Sequence, residues 1–273
     1  MRGWWRELAG LVLPVACVGC GRPRVEWCDA CGDELCGDPP RRVRPSPEPS
    51  GLPVVYATAP YESAVRAALL AHKERGGLGL AGALGAALAS AVRAGAGSRG
   101  PDGARAPGGG TGPGPLLLVP VPSARRAVAA RGHDPGRRIA LAAARELRRT
   151  GTPARVVPVL RQGRAVADQS GLGARQRRAN LSGALEVVAG GDRLLAGGRV
   201  VLVDDLMTTG ASLAEAARAI GAQGVVAGGD ADGQSGGPRK ITGPGTRWAA
   251  VVSASPSAFG INPELLASAR RYR

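Results

Sequence analysis

Between Arg199 and Ala222 the chain reads RVVLVDDLMTTGASLAEAARAIGA, and this stretch restricts the fold more than any other. Arg199 to Val203 is a run of β-branched and aliphatic residues, the pattern of a strand covered on both faces in a parallel sheet. The run is expected to stop at two carboxylates, Asp204 and Asp205. From Ser212 the spacing turns helical: Leu213, Ala216, Ala217 and Ile220 recur at helical intervals, and Ser212 with Glu215 has the spacing of a capping box. Between them lies a short loop of hydroxyls and one glycine. A strand, two acids, a small-residue loop and a helix start are the parts needed to hold a phosphorylated sugar. Backbone N–H groups and hydroxyls of Thr208, Thr209, Gly210, Ala211 and Ser212 would face a phosphate at the positive end of the helix. Asp204 and Asp205 would take the sugar hydroxyls, or a Mg²⁺ ion beside them.

At 273 residues the chain has room for one sizeable α/β core and a small appendage. No apolar run approaches the roughly 20 residues of a membrane span, so no span is expected. The first residues, MRGWWRELAGLVLPVAC, look a little like a lipoprotein signal, but Glu7 interrupts the apolar run and Pro14 stands where an apolar residue is wanted. An amphipathic or buried helix using Trp4, Trp5, Leu8, Leu11 and Val12 is expected there, in a cytoplasmic protein. The formal charge is +15, nearly all of it arginine, since Lys73 and Lys240 are the only lysines. Between Val121 and Ser182 fourteen arginines face only Asp134, Glu146 and Asp168. That concentration flanks the phosphate turn, so a polyphosphate ligand accounts for it as well as DNA does.

Cys17, Cys20, Cys28 and Cys31 form C-x2-C-x7-C-x2-C with glycines at 19, 21 and 32. Two such knuckles supply four thiolates for a tetrahedral Zn²⁺, and a short segment with so little apolar content needs a metal to fold. The alternative, two disulfides, requires an oxidising compartment. Zinc held by four cysteines is structural, because no position is left open for substrate. Cys36 reads as a spare thiol.

Residues 39–53 are rich in Pro, Arg and Ser and read as a linker. A strand is expected over Val54–Ala57, helices over Tyr61–Glu74 and Leu78–Val92, and a Gly/Pro insertion at 95–115 that is too polar to order itself. His72 is expected at the surface, on a polar helix face with Arg66 and Lys73. Leu116–Val121 is the next buried strand. Arg125, Arg126 and Arg131 follow it, in the crevice position beyond a parallel strand, where guanidinium forks suit diphosphate oxygens. A helix at Gly136–Leu147 and strands at Ala154–Val159, Gly224–Ala227 and Trp248–Ala254 complete the pattern, with residues 161–187 mostly a polar loop.

The DDLMTTGAS turn after VVLV closely resembles the signature of type I phosphoribosyltransferases. With the cysteine knuckles, VPVP and its arginines, the Arg131-Gly132 element, and Gln169, Leu172, Arg177 and Asn180, the chain resembles the ComF family from about Cys17 to Val226. Two departures stand out: His133-Asp134-Pro135 replace the usual Phe-Asn-Gln, and Gln176 replaces an acid. The resemblance implies an α/β fold, a parallel sheet flanked by helices, preceded by a small four-cysteine zinc-knuckle module. It implies that Asp204 and Asp205 lie against the ribose hydroxyls of phosphoribosyl pyrophosphate, that the Thr208–Ser212 loop binds its 5-phosphate, and that Mg²⁺ comes with the diphosphate. A basic lid including Gln169, Arg177 and Asn180 would close over the ligand.

The expected organisation is thus a helix and zinc knuckle over 1–38, a linker over 39–53, a phosphoribosyltransferase-like domain over 54–258 and a tail over 259–273. Two functions follow from different classes, beside a third in which an inactive scaffold keeps the fold and binds a nucleotide ligand. One is phosphoribosyl transfer to a nitrogen nucleophile. The other, implied by the ComF resemblance, is a non-catalytic module of DNA uptake contacting single-stranded DNA or a helicase. No Phe, Tyr or Trp occurs between Tyr61 and Trp248, so that stretch lacks the stacking platforms common in single-strand binders.

Overall fold

In the computed structural model, residues 16–97, 114–164, 176, 180–226 and 248–261 are described. The expected N-terminal helix, the greater part of the 95–115 insertion, and Gln169, Leu172 and Arg177 lie outside these residues. Eight strands are seen among the described residues: β1 Arg41–Val43, β2 Val54–Pro60, β3 Leu116–Pro120, β4 Ala154–Val156, β5 Leu160–Gln162, β6 Leu185–Val187, β7 Arg199–Met207 and β8 Trp248–Ala254. The helices are α1 Asp29–Cys36, α2 Ser63–Glu74, α3 Ala81–Gly97, α4 Arg125–Arg131, α5 Pro135–Arg149, α6 Gly191–Leu195 and α7 Ala211–Val226. Short 3-10 turns precede α3 and follow β8.

Six strands form one sheet in the order β1-β2-β8-β7-β3-β4, parallel throughout except for β1. Aliphatic runs form its centre because both faces are covered. All residues of β3 and β8 are buried. Side chains alternate between two cores. Leu116, Leu118, Val201, Val203, Ala250 and Val252 meet α2, α3 and α5 on one face. Leu117, Val119, Val200, Leu202, Ala249 and Val251 meet α7 and the β5–β6 pair on the other. Helix α3 crosses α5 so closely that a Cβ at Gly85 would collide with Ala142. By length and composition the stretch Leu78–Gly97 is apolar enough to cross a membrane, which the sequence reading did not anticipate, and half of it is buried inside this fold.

Several expectations are corrected. Part of the 39–53 segment is not a free linker: β1 pairs antiparallel with β2 and extends the sheet. Residues 95–97 belong to α3 rather than to the insertion. Strand β4 stops at Val156 because Pro158 has no N–H for the ladder, and the last bond is from Val157 N to Leu118 O at 2.8 Å. No strand forms over 224–226, where α7 continues. The basic turn after β3 is itself helical, as α4. The polar stretch 161–187 is closed at its root by the antiparallel pair β5–β6.

The cysteine segment is continuous with this body. Cys17, Cys28 and Cys31 cluster with Ala64 of α2, and Glu34 of α1 accepts a hydrogen bond from Ala64 N at 2.9 Å. A carboxylate from the knuckle thus satisfies a donor that the first turn of α2 cannot satisfy itself.

On the opposite face Glu215 does not act as a capping-box acid. It is buried and accepts from Leu185 N at 3.0 Å, while Arg218 donates to both carboxylate oxygens at 2.7 and 2.8 Å. Burial opposes its charge, but Arg218 and the Leu185 and Gly183 N–H groups prevail and hold the carboxyl below the usual glutamate range. Glu215→Ala should strand the Leu185 N–H and loosen the β5–β6 root. A loss of about 1–3 kcal/mol in urea unfolding is expected. A depressed folded pKa stabilises above the unfolded value and is lost as pH falls through the folded one. The wild-type and Glu215→Ala stabilities should therefore approach each other as the pH falls below 4.5.

Candidate functional site

The carboxyl ends of β7 and β3 meet at the centre of the sheet, where the connections turn outward in opposite directions, and α/β folds bind ligands at such a point. The strand does not stop at the acids: β7 runs on to Met207, with Leu206 and Met207 registered against Ser253 and Ala254 of β8. Asp204 and Asp205 are thus held by sheet backbone rather than by a loop. Thr208, Thr209 and Gly210 make the turn, and Gly210 sits at φ 73°, a conformation open to glycine at little cost. A Cβ there would also press on Leu52 and Pro45, which cover this side of the turn. Thr208 is exposed, Thr209 and Ser212 are half-buried, and Gly210 and Ala211 are buried. Helix α7 opens with Ala214 N donating to Gly210 O. Its preceding N–H groups have no acceptor within the helix, as at any helix start.

The two acids differ. Asp205 is buried, and Lys73 Nζ from the last turn of α2 lies 3.3 Å from its Oδ2. Asp204, partly exposed, accepts from Asp205 N at 2.9 Å. Its enclosure by protein and then the neighbouring Asp205 charge push the Asp204 carboxyl well above the usual carboxylate range, against Lys73 and that N–H. Asp205 first, and then Asp204, hold the Lys73 ammonium above the ordinary lysine value although burial opposes its charge. Two carboxylates are suitable hard donors for Mg²⁺. Here one of them already faces an ammonium 3.3 Å away, so the pair as it stands does not fit a resident divalent ion.

The sequence reading missed Lys73 as a site residue. The signal was an ammonium at a helix end in a chain that otherwise uses arginine. Beside it, Glu74 accepts two hydrogen bonds from Arg131, at 2.7 and 2.9 Å. Of the three arginines assigned to a diphosphate, Arg131 is therefore engaged, whereas Arg125 and Arg126 are exposed on α4 with no acid partner among the described residues. His72 is buried, not on the surface, and its Nδ1 donates to Gly77 O at 3.2 Å. His133-Asp134-Pro135 is a joint. His133 lies within donating distance of the Arg131 and His72 carbonyls, Asp134 caps α5 through Arg137 N, and Pro135 opens that helix. Asn180, the one expected lid residue described, receives Arg164 on its backbone carbonyl at 2.9 Å.

At the other end of α2, the four cysteine sulfurs lie within 4.8 Å of one another, with Cys17–Cys31 at 3.6 Å and Cys20–Cys28 at 3.5 Å. A tetrahedral ion with metal–sulfur bonds of about 2.3 Å requires sulfur separations of about 3.8 Å. These residues could hold such an ion. All five cysteines are free thiols, and Cys36 stands outside the group. Burial opposes the Cys17 thiolate, yet N–H groups of Cys20, Cys28 and Gly19 lower its pKa to about 6, which favours the ligating form. Burial and the neighbouring sulfurs push the Cys31 thiol up.

No protein-family model and no curated protein sequence matches this chain.

If the four sulfurs share an ion, Cys28→Ser should lower bound metal by elemental analysis and free the start of α2. Hydrogen exchange at Ala64 N should then quicken by at least about tenfold, because its Glu34 acceptor is carried by the knuckle.

Proposed function

We propose that the β7–α7 turn binds phosphoribosyl pyrophosphate or a related nucleotide, in a ComF-type, type I phosphoribosyltransferase-like protein with a structural zinc knuckle. The observation that carries this reading is the sequence of groups at one strand end: two adjacent carboxylates, a three-residue turn, then a helix start. The 5-phosphate meets the turn and the first N–H groups of α7, and Asp204 and Asp205 accept hydrogen bonds from the ribose diol. In transfer, the C1–oxygen bond breaks with its electron pair leaving on diphosphate. A C1–nitrogen bond forms, and the nitrogen nucleophile loses a proton. The protein's part is positioning and charge stabilisation. Arg125 and Arg126 suit the departing diphosphate, while Arg131 reaches it only by giving up Glu74. Magnesium belongs in this reading to the diphosphate of the ligand. Zinc on Cys17, Cys20, Cys28 and Cys31 has no open position and supports the fold alone.

Calorimetric titration with phosphoribosyl pyrophosphate tests the reading. Binding is expected in wild type and a loss of at least about tenfold in Asp204→Asn/Asp205→Asn, since each hydrogen bond to a charged group contributes about 1.5–3 kcal/mol. Binding indifferent to both aspartates would reject the site. Release of diphosphate against a panel of bases and amines then distinguishes turnover from binding.

A second reading, a nucleic-acid-handling module, has one observation in its favour. The outer face of α5 exposes Arg137, Arg138 and Arg145 around an exposed Leu141, with no acid partner for these arginines among the described residues. Three such contacts to single-stranded DNA predict a slope of about −2 in log affinity against log salt. Tight binding that persists at physiological salt and falls in Arg137→Glu/Arg145→Glu would favour this role over the transferase.

A further inference from the structure

The acid pair comes with its own cation. Lys73 Nζ lies 3.3 Å from Asp205 Oδ2, and the lysine side chain is 37% exposed against 11% for its partner. The backbone that presents it is fixed on both sides. His72 is buried and donates to Gly77 O, His133 lies against the His72 carbonyl, and Glu74 holds Arg131 through two hydrogen bonds. Only the side chain of Lys73 is left to move. A divalent ion at the pair would have to displace the ammonium from Asp205 and would then stand near both Lys73 and Arg131, whose charges also oppose each other. An ammonium suits this position: it is a compact charge with rotatable donors on a flexible stem, able to withdraw from one carboxylate in a way that a bidentate guanidinium is not. In a chain with 36 basic residues and only two lysines, one of the two stands here.

We propose that Lys73 is the resident counter-cation of Asp204 and Asp205, taking the place a metal would otherwise occupy, so that the unliganded protein holds no divalent ion at this pair. The acids are then presented to a ligand as hydrogen-bond acceptors with one positive charge already beside them, and any metal enters with the ligand. The identity of that ligand rests on the reading above; the exclusion of metal does not.

Manganese is the probe, because it prefers carboxylate oxygen over the thiolates of the cysteine cluster. Free Mn²⁺ is followed by electron paramagnetic resonance during titration of the full chain: wild type, Asp205→Asn, Lys73→Met, Lys73→Gln, Lys73→Arg, and Lys73→Met combined with Asp205→Asn. Wild type should match the Asp205→Asn background. Both neutral variants should bind one ion at least about tenfold more tightly, and the added aspartate change should abolish that gain. Two neutral side chains of different shape guard against a folding defect in either, and Lys73→Arg should stay at the wild-type level. Equal Mn²⁺ affinity in wild type and both neutral variants, whether strong or absent, overturns the proposal. So does a gain that survives Asp205→Asn. The titration contains no sugar phosphate, so failure to bind phosphoribosyl pyrophosphate and failure of the lysine's role are separate results.

Discussion

Setting two neighbouring carboxylates into the end of a strand buried on both faces is unfavourable, and the contact that offsets it is the ammonium of Lys73 against Asp205. Neighbouring like charges in a partly enclosed place cannot both be ionised without a positive partner. Helix α2 provides that partner from its last turn, where the helix dipole also favours a cation. The position of α2 is then constrained at its far end: His72 is buried, and Glu74 reaches across to Arg131 of α4. The site is therefore made by three segments distant in sequence, brought together by parallel strands that deliver their ends to the same side of the sheet.

The same helix begins beside the cysteine cluster. Ala64 packs with Cys17, Cys28 and Cys31 and gives its N–H to Glu34, while Lys73 and Glu74 finish the helix at the acid pair. Twelve residues at about 1.5 Å each span about 18 Å. The knuckle is thus not an ornament on a separate domain. It provides the N-terminal cap that α2 lacks from its own residue Glu62, which makes no side-chain cap.

Much of this was legible in the sequence because the relevant signals are local. The aliphatic runs at Leu116, Arg199 and Trp248 became buried parallel strands, and the C-x2-C spacing brought four sulfurs together. The acid pair was visible, but its environment was not. Lys73 and Asp205 are 132 positions apart, and no periodicity relates a helix end to a strand end that far away. Glu215 misled for a related reason: a Ser-x-x-Glu spacing states that a cap is available, whereas burial against Leu185 and Arg218 decides where the carboxylate goes. The polar stretch after Gln162 concealed its own closure, since three-residue strands such as β5 and β6 are too short for alternation to register. Val225 and Val226 read as a strand by β-propensity, yet α7 continues through them.

Strand length across the sheet has a consequence for the protein in crowded solution. The central strands run from five to nine residues, but the outermost two, β1 and β4, have three each. Those margins also present Arg41, Arg42 and Arg155 outward. A second molecule attempting to add its backbone there would find few unpaired amides and exposed guanidinium groups close by. Margins of this kind disfavour edge-to-edge growth of the sheet, despite a fully buried strand such as β8 at its heart.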